Sequence, residues 1–397
     1  MNLKQFCESA VRRVLTVSGF VTSIVILLII TFLFAEAAGL FRHKVVEEGY
    51  VLAVNKENPV ESLSADQIKL VFDEELSNWK ELGGIDCPIT TFRLEQLPEL
   101  YTEEQLGANY ENAGRCIAEQ IEQNRGMIAF VPEDLVKDQA NIRLLEERNI
   151  KVSDVLLGKE WFPTATPSPL FGILPLVSGT LWVTIFAIII ALPFGLAVAI
   201  YLSEVADERI RQVLKPVIEL LNGIPSVVLG FFGLAVVVPF LQETFDLPVG
   251  ETGLAGSLIL ALMALPTIIT VGEDAMRSCP NTMREASLAL GASRWQTIYK
   301  VVVPYSISGI TSGVVLGIGR AVGETMAVLM VTGNAAVMPT SILEPLRTIP
   351  ATIAAELGEA PAGGAHYQSL FLLGVILFFI TFFINLCVEY ISSRNKR

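Results

Sequence analysis

REASLALGASRWQTIYKVVVPYSISGITSGVVLGIGRAVGETMAVLMVTGN, residues 284–334, decides how the chain is read. It begins as a polar amphipathic segment and runs, without a clear loop, into an apolar span that carries Arg320 and Glu324. An apolar run of bilayer length is a membrane helix, and an ionisable side chain at its centre costs at least about 2.5–3.5 kcal/mol on insertion scales. The charged pair therefore marks a functional site or a buried partnership. Four residues apart, the two are expected on one helix face, where they can pair. With entry near Ser308 and a rise of about 1.5 Å per residue, Arg320 falls roughly 18 Å deep, slightly past the middle of a core about 30 Å thick. Two compatible readings stand: a self-satisfied ion pair, and an anion-attracting arginine tuned by the glutamate.

On the same span, Gly313-x3-Gly317 and Gly319-x3-Gly323 present small faces for close helix contact. Upstream, Glu285-Ala286-Ser287, Gly291 and Val301-Val302-Val303-Pro304 follow the spacing EAA-x3-G-x9-I-x-L-P, with serine for the last alanine and valines for Ile and Leu. Small residues let a short helix lie close against a partner surface, and Gly291 lets the chain turn out of it. An amphipathic loop lying on the membrane surface is the plainer alternative. A spacing matched from Glu285 to Pro304 favours the docking element.

Outward from this stretch, 397 residues of mean hydropathy +0.54, 52% of them hydrophobic, describe a polytopic membrane protein. Val14 to Ala38 is a first apolar run behind Lys4, Arg12 and Arg13. Ala35-Glu36-Ala37 resembles a cleavage site, but the apolar core is longer than a signal sequence needs, so an uncleaved helix is expected. Five further spans are expected at about Ile173 to Leu202, Pro216 to Leu241, Gly253 to Ala275, Pro304 to Val331 and Ser369 to Ile391. Pro193, Pro225, Pro239 and Pro266 interrupt them, and Asn222-Gly223-Ile224-Pro225-Ser226 is the most pointed break. Lysines and arginines gather in four of the connecting segments, at Lys4, Arg12 and Arg13, at Arg209, Arg211 and Lys215, at Arg277, Arg284, Arg294 and Lys300, and at Arg394, Lys396 and Arg397. The two short loops opposite hold only Arg347. Both termini are thus expected in the cytoplasm.

Residues 41–165 differ in kind. They hold 24 Asp/Glu against 13 Lys/Arg, a net −11 of the chain's −13. Tyr50 to Val54, Pro88 to Phe92 and Met127 to Val131 read as strands. Ser64 to Asp73, opened by the capping pattern Ser64-x-x-Gln67, and Gly114 to Asn124 read as helices. This alternation predicts an inserted extracytoplasmic α/β domain, with Pro163, Pro167 and Pro169 making a stiff, extended re-entry to the membrane. The expected organisation is 1–40, a cytoplasmic N-terminus and first helix; 41–165, the outer domain; and 166–397, a five-helix core with a cytoplasmic loop at about 276–303.

Several chemistries are excluded. No basic patch with interleaved aromatics suits nucleic acid. Five cysteines without a CxxC pair and two histidines give no metal site. Cys7, Cys279 and Cys387 fall in or beside cytoplasmic or membrane segments, whereas Cys87 and Cys116 share the outer segment, where an oxidising compartment permits but does not establish a disulfide. No phosphate-cradling G-x-x-x-x-G-K-[ST] loop, nucleophile elbow or convergent acid/base set occurs, so no cofactor and no catalysis are expected in this chain.

The docking-loop spacing, together with GRAVGETMAVLMVTGN (319–334), ELLNGIPSVVLGFFGL (219–234) and GILPLVSGTLWVTIFAIIIALPFGLAVAIYLSE (172–204), resembles the PstC-type permease subunit of the bacterial phosphate ABC transporter. The resemblance covers nearly all of Phe171 to Arg397. It implies an α-helical inner-membrane protein of six transmembrane helices with the type I ABC importer permease fold. It further implies a heterodimer with a PstA-type permease, seated through Glu285 to Gly291 on a PstB-type ATPase dimer that carries the ATP and Mg, and receiving inorganic phosphate from a PstS-type binding protein. Arg320 and Glu324 match the charged residues that the family places on its phosphate pathway.

In the outer segment, VNKENPVESLSADQIKLVFDEELSNWKELGG (54–84), PITTFR (88–93) and RGMIAFVPEDL (125–135) are similar to part of a PstS-type binding protein. In that family an arginine after the second stretch precedes a Ser-Gly-Thr turn that cradles phosphate. Here Arg93 precedes LEQLPELY, and the acidic balance repels anions, so the expectation is a relic lobe that docks the binding protein or gates the outer mouth. A permease for another oxyanion such as sulfate or molybdate, and a membrane sensor with an outer ligand domain, are the alternatives.

Overall fold

The computed structural model describes residues 3–107, 110–137, 139, 141–146 and 148–394; Lys396 and Arg397, counted among the inner charges, lie outside them. The chain divides into two units. One comprises Met1–Ala37, Leu174–Ala362 and Ser369–Arg397; the other comprises Ala38–Ile173 and Gly363–Gln368.

Among the described residues six helices, mostly within the first unit, are long and apolar enough to cross a membrane: Arg12–Arg42, Leu174–Val205, Ser226–Phe245, Gly253–Arg277, Arg294–Gly323 and Ala365–Tyr390. Gly253–Arg277 is the most buried, with Leu174–Ile200 and Val303–Gly323 packed along it. Its Ile259, Leu260, Ala264 and Ile268 meet Ala187 and Ala191 in one cluster. In lipid the apolar drive between helices is weak, so close packing of small residues decides which faces meet. A Cβ on Gly317 would lie 3.0 Å from Ile268 and one on Gly313 3.0 Å from Val271, so that pair of glycines seats the helix on its neighbour. Gly319 and Gly323, expected to do the same, have nothing within 4 Å and face open space.

Two expected spans are broken. The third does not start at Pro216. Glu208–Gly223 is a separate amphipathic helix with Pro216 inside it, and the span begins anew at Ser226. Ile224, at φ −71° and ψ 124°, takes the extended conformation that a following proline imposes, and Pro225 supplies no N–H to continue the helix. The fifth span ends at Gly323; Glu324 is extended at φ −71° and ψ 132°, and a short helix, Met326–Val331, follows.

The second unit is an α/β domain. A sheet of order β2-β3-β1-β4 joins β1 (Tyr50–Asn55), β2 (Thr90–Arg93), β3 (Met127–Pro132) and β4 (Ile142–Leu144). Strands β1 and β3 are antiparallel, with Leu52 opposite Phe130, whereas β2 and β3 are parallel. Both central strands are buried almost throughout, which explains their unbroken apolar runs. Helix Ala65–Phe72 carries both bonds of the predicted capping box, Ser64 to Gln67 and back. Buried Trp79 donates its indole N–H to the Gly126 carbonyl at 2.9 Å, and a Cβ on Gly126 would strike the Pro88 carbonyl at 2.0 Å, so the strand edge there demands glycine. The re-entry is not a simple extended run. Trp161–Phe162 and Leu170–Phe171 pair as a small antiparallel ribbon, because buried Trp161 packs edge-on against Phe171.

Candidate functional site

The two helix breaks in the membrane unit define the site. The helices that restart after them, Ser226–Phe232 and Met326–Val331, pack side by side, with Gly230 so close to Ala327 that a Cβ would come within 3.1 Å of its Cα. Just before each break stands a polar side chain, Asn222 on one helix and Arg320 on the other. Arg320 Nη1 donates to Asn222 Oδ1 at 2.7 Å. The expected Arg320–Glu324 pair does not form: the helix ends between them, so the four-residue spacing no longer puts them on one face. Glu324 instead turns toward the restarted helix, its Oε1 3.5 Å from the Ala327 N–H. Arg320 thus makes no ion pair among the described residues. Asn222 was legible as a polar residue in a break, but nothing in the sequence joined it to a residue 98 positions later.

The predicted docking residues lie on helix Asn281–Ala289, where Glu285, Ala286 and Ser287 occupy the middle turns. Gly291 follows at φ +85°, the left-handed conformation that turns the chain out of the helix. Ser287, which replaces the alanine of the pattern, exchanges a hydrogen bond with the Thr297 hydroxyl at 3.0 Å. A one-turn helix, Arg294–Thr297, and a π turn, Ile298–Val302, then lead into the helix that carries Arg320.

Sequence reading missed an ionic frame at this end of the unit. Glu273, with a side chain 1% exposed, accepts from Arg211 Nε at 2.8 Å, faces Lys215 Nζ at 3.1 Å and has Arg277 at 3.8 Å. Lys215 also reaches Asp274 at 3.0 Å. Burial pushes the Lys215 ammonium down, but its bonds to Asp274 and Glu273 outweigh that and hold it above its usual range. Arg211 and Lys215 were read as inner-loop charges; their partners stand on another span. On the opposite loop, Arg347 pairs with Glu356 at 2.8 Å.

In the α/β unit, Arg93 closes on its own chain. Its Nη1 and Nη2 donate to the Thr166 hydroxyl and carbonyl, both at 3.3 Å, and its guanidinium lies 5.2 Å from the centre of the Phe72 ring. A cavity of about 300 Å³ in the same unit is lined by Asp66, Asp154 and Glu160 together with Lys69 and Lys159, among mostly apolar residues. Lys69 is bound to Glu160 at 2.5 Å, a bond that raises the ammonium pKa. Partial burial, then the charges of Asp154 and Glu160, raise the pKa of Asp66. Cys87 and Cys116 are both free thiols, which leaves the permitted disulfide unformed. Cys116 faces the core from helix Ala113–Gln123, and Cys87 lies in the loop before β2, against Gly126. Among the described residues no cluster of His, Cys, Asp and Glu has the makings of a metal site.

Comparison with known proteins fits this geometry. Residues 191–397 match the family described as binding-protein-dependent transport system inner membrane component, and residues 31–154 match a PBP superfamily domain. The chain is 43% identical to the probable ABC transporter permease protein YqgH of Bacillus subtilis, over 61% of this chain and 78% of that one. It is 38% identical to the phosphate transport system permease protein PstC of Mesorhizobium japonicum, over 60% of this chain and 78% of that one. A solved MetNI methionine ABC transporter in an inward-facing conformation aligns with 57% of this chain and 98% of its own, at 19% identity and a TM-score of 0.45.

Proposed function

The chain belongs to the binding-protein-dependent transport system inner-membrane component family, and from that premise we propose that it is the permease subunit of an ATP-driven phosphate importer, forming half of the translocation pathway. The observation that carries the reading is Arg320, a cation near the break that ends a membrane helix, held by a neutral amide from the helix that precedes the span Ser226–Phe245. Broken helices in a membrane are tolerated where they line a path. With the guanidinium as donor, the bond to Asn222 is already one made by a charged group, worth about 1.5–3 kcal/mol, but its acceptor is neutral, whereas a phosphate offers opposite charge and two parallel acceptors to the guanidinium fork. An arriving phosphate, bearing full charge, competes well for the guanidinium against the Asn222 amide. It would compete poorly against a standing Glu324 carboxylate. The contact is then strong enough to select an anion and weak enough to release it.

The remaining assignments follow the same reading. The partners are a PstA-type permease, a PstB-type ATPase dimer that holds ATP and Mg, and a PstS-type binding protein. Helix Asn281–Ala289, with Glu285, Ala286 and Ser287 and the exit at Gly291, docks on the ATPase. The chain is an inner-membrane transport subunit that performs no hydrolysis itself. Both termini are placed in the cytoplasm and residues 41–165 outside, between a first helix within 1–40 and a permease core over 166–397 with its loop at about 276–303. The outer domain docks the binding protein or gates the outer mouth and does not hold phosphate, a view supported by the contacts of Arg93 with Thr166 and Phe72 and by the net −11 of residues 41–165. Proteoliposomes that contain the chain and its three partners are expected to accumulate phosphate only with internal ATP, with sulfate and molybdate in excess leaving uptake within about twofold, a selectivity expected from the similarity to phosphate permeases and not from Arg320 alone. Uptake that prefers sulfate or molybdate, or that ignores ATP, overturns the assignment.

A further inference from the structure

Arg284 uses all five of its N–H donors. Nε and Nη2 grip Glu204 at 3.3 and 2.7 Å; Nη2 also reaches the Met276 carbonyl at 2.9 Å; Nη1 reaches the Cys279 carbonyl at 2.6 Å and Asn281 Oδ1 at 3.1 Å. These acceptors belong to three different elements and, for Cys279, to the short connection between two of them. Glu204 lies on the π turn Tyr201–Val205 that ends the helix Leu174–Ile200, Met276 belongs to the last turn of Gly253–Arg277, and Asn281 opens the docking helix on which Arg284 itself sits. The Arg284 and Glu204 side chains are only 19% and 10% exposed, so the forked pair is shielded from salt and expensive to break from one side.

The docking helix therefore has two separate attachments. Ser287 ties it to Thr297 and so, through the π turn, to the helix of Arg320. Arg284 ties it to the ends of the two helices packed at the centre of the unit. Chain continuity alone would deliver a push on the docking helix to Gly253–Arg277, three residues before it, and to the helix of Arg320 after it, but not to Leu174–Ile200, at whose end Glu204 stands 80 residues before Arg284. We propose that the Arg284–Glu204 clamp supplies that missing link: both are positioning residues that make the end of Leu174–Ile200 move with the docking helix and with Gly253–Arg277, so that ATP-driven displacement reaches all three packed helices together. This rests on reading Asn281–Ala289 as the ATPase-docking helix.

The test measures ATP hydrolysed per phosphate delivered by the complete transporter in proteoliposomes. Glu204→Gln keeps the size of the side chain and one acceptor but removes the charge; it is expected to raise that ratio at least fivefold, with Glu204→Asp restoring part of the coupling. A merely structural role lowers the amount of active complex, which scales hydrolysis and transport together and leaves the ratio unchanged. A Glu204→Gln complex that assembles with a ratio within twofold of the parent overturns the clamp, and so does failure of that variant to assemble, which makes the pair structural. Absence of ATP-driven phosphate uptake in the unmodified complex overturns the functional reading instead, a distinguishable outcome.

Discussion

Two arginines, one in each unit, fall in stretches that resemble anion-handling families, Arg320 with its motif intact and Arg93 without the turn that would complete one, and their surroundings differ. Arg93 is held by its own unit from both sides in sequence: two neutral acceptors from Thr166, which follows it, and the face of Phe72, which precedes it, occupy its guanidinium. Arg320 has a single amide oxygen, that of Asn222. Among the described residues neither is balanced by a carboxylate, so net charge does not separate them. What separates them is how much a ligand must displace. An anion at Arg93 must dislodge a linker and a ring, and one at Arg320 a single hydrogen bond. The presence of an arginine thus says little about anion binding until its acceptors are counted.

The sharpest way to break this comparison is to remove both arginines separately. Arg320→Ala is expected to lower phosphate uptake by the reconstituted complex about a hundredfold, the equivalent of one charge-assisted contact of roughly 2.8 kcal/mol, while Arg93→Ala leaves uptake within about twofold. Equal losses would erase the distinction. Asn222→Asp sharpens it, because a carboxylate at that position holds Arg320 as firmly as an ion pair; about tenfold slower uptake is expected in the same assay, with the complex assembled normally. Arg93→Ala should instead be felt locally, loosening the linker around Thr166 by about 0.5–1 kcal/mol, read as faster amide exchange over residues 161–171.

The smallest effect concerns Asp66. Its pKa is raised from the usual 3.8, so the stability it contributes is complete below that pH and is lost as pH rises through the raised value. Asp66→Asn is accordingly expected to slow amide exchange in helix Ala65–Phe72 at neutral pH and to change nothing in acid. Faster exchange at neutral pH would contradict the assigned cause.

Legibility in sequence followed the range of the interactions. The capping box at Ser64, the strands Tyr50–Asn55 and Met127–Pro132 and six bilayer-length runs are encoded within a few residues, and each was readable. The turn at Gly291 was equally local. The site failed at its crucial pair because a four-residue spacing presumes an unbroken helix, and the break at Glu324 carries no proline to announce it. Pro225 did announce the matching break, although the helix before it was merged with the span. Asn222 with Arg320, Glu204 with Arg284 and Glu273 with Arg211 are joined across 98, 80 and 62 residues, beyond any periodic signal. The glycine stripe was half right because spacing identifies small faces without saying which of them has a neighbour.

The buried Glu273 has one more consequence, for the order in which the chain is made. A lone carboxylate left in such a place during synthesis would be a hazard, but Arg211 and Lys215 precede it and are already in hand when it emerges, roughly 3–12 s behind Arg211 at ordinary translation speeds. The Arg284 clamp runs the other way, with Glu204 emerging 80 residues before its partner. For Glu273, then, and not for Glu204, the N-to-C direction of biosynthesis is itself a route by which a buried charge reaches the interior neutralised.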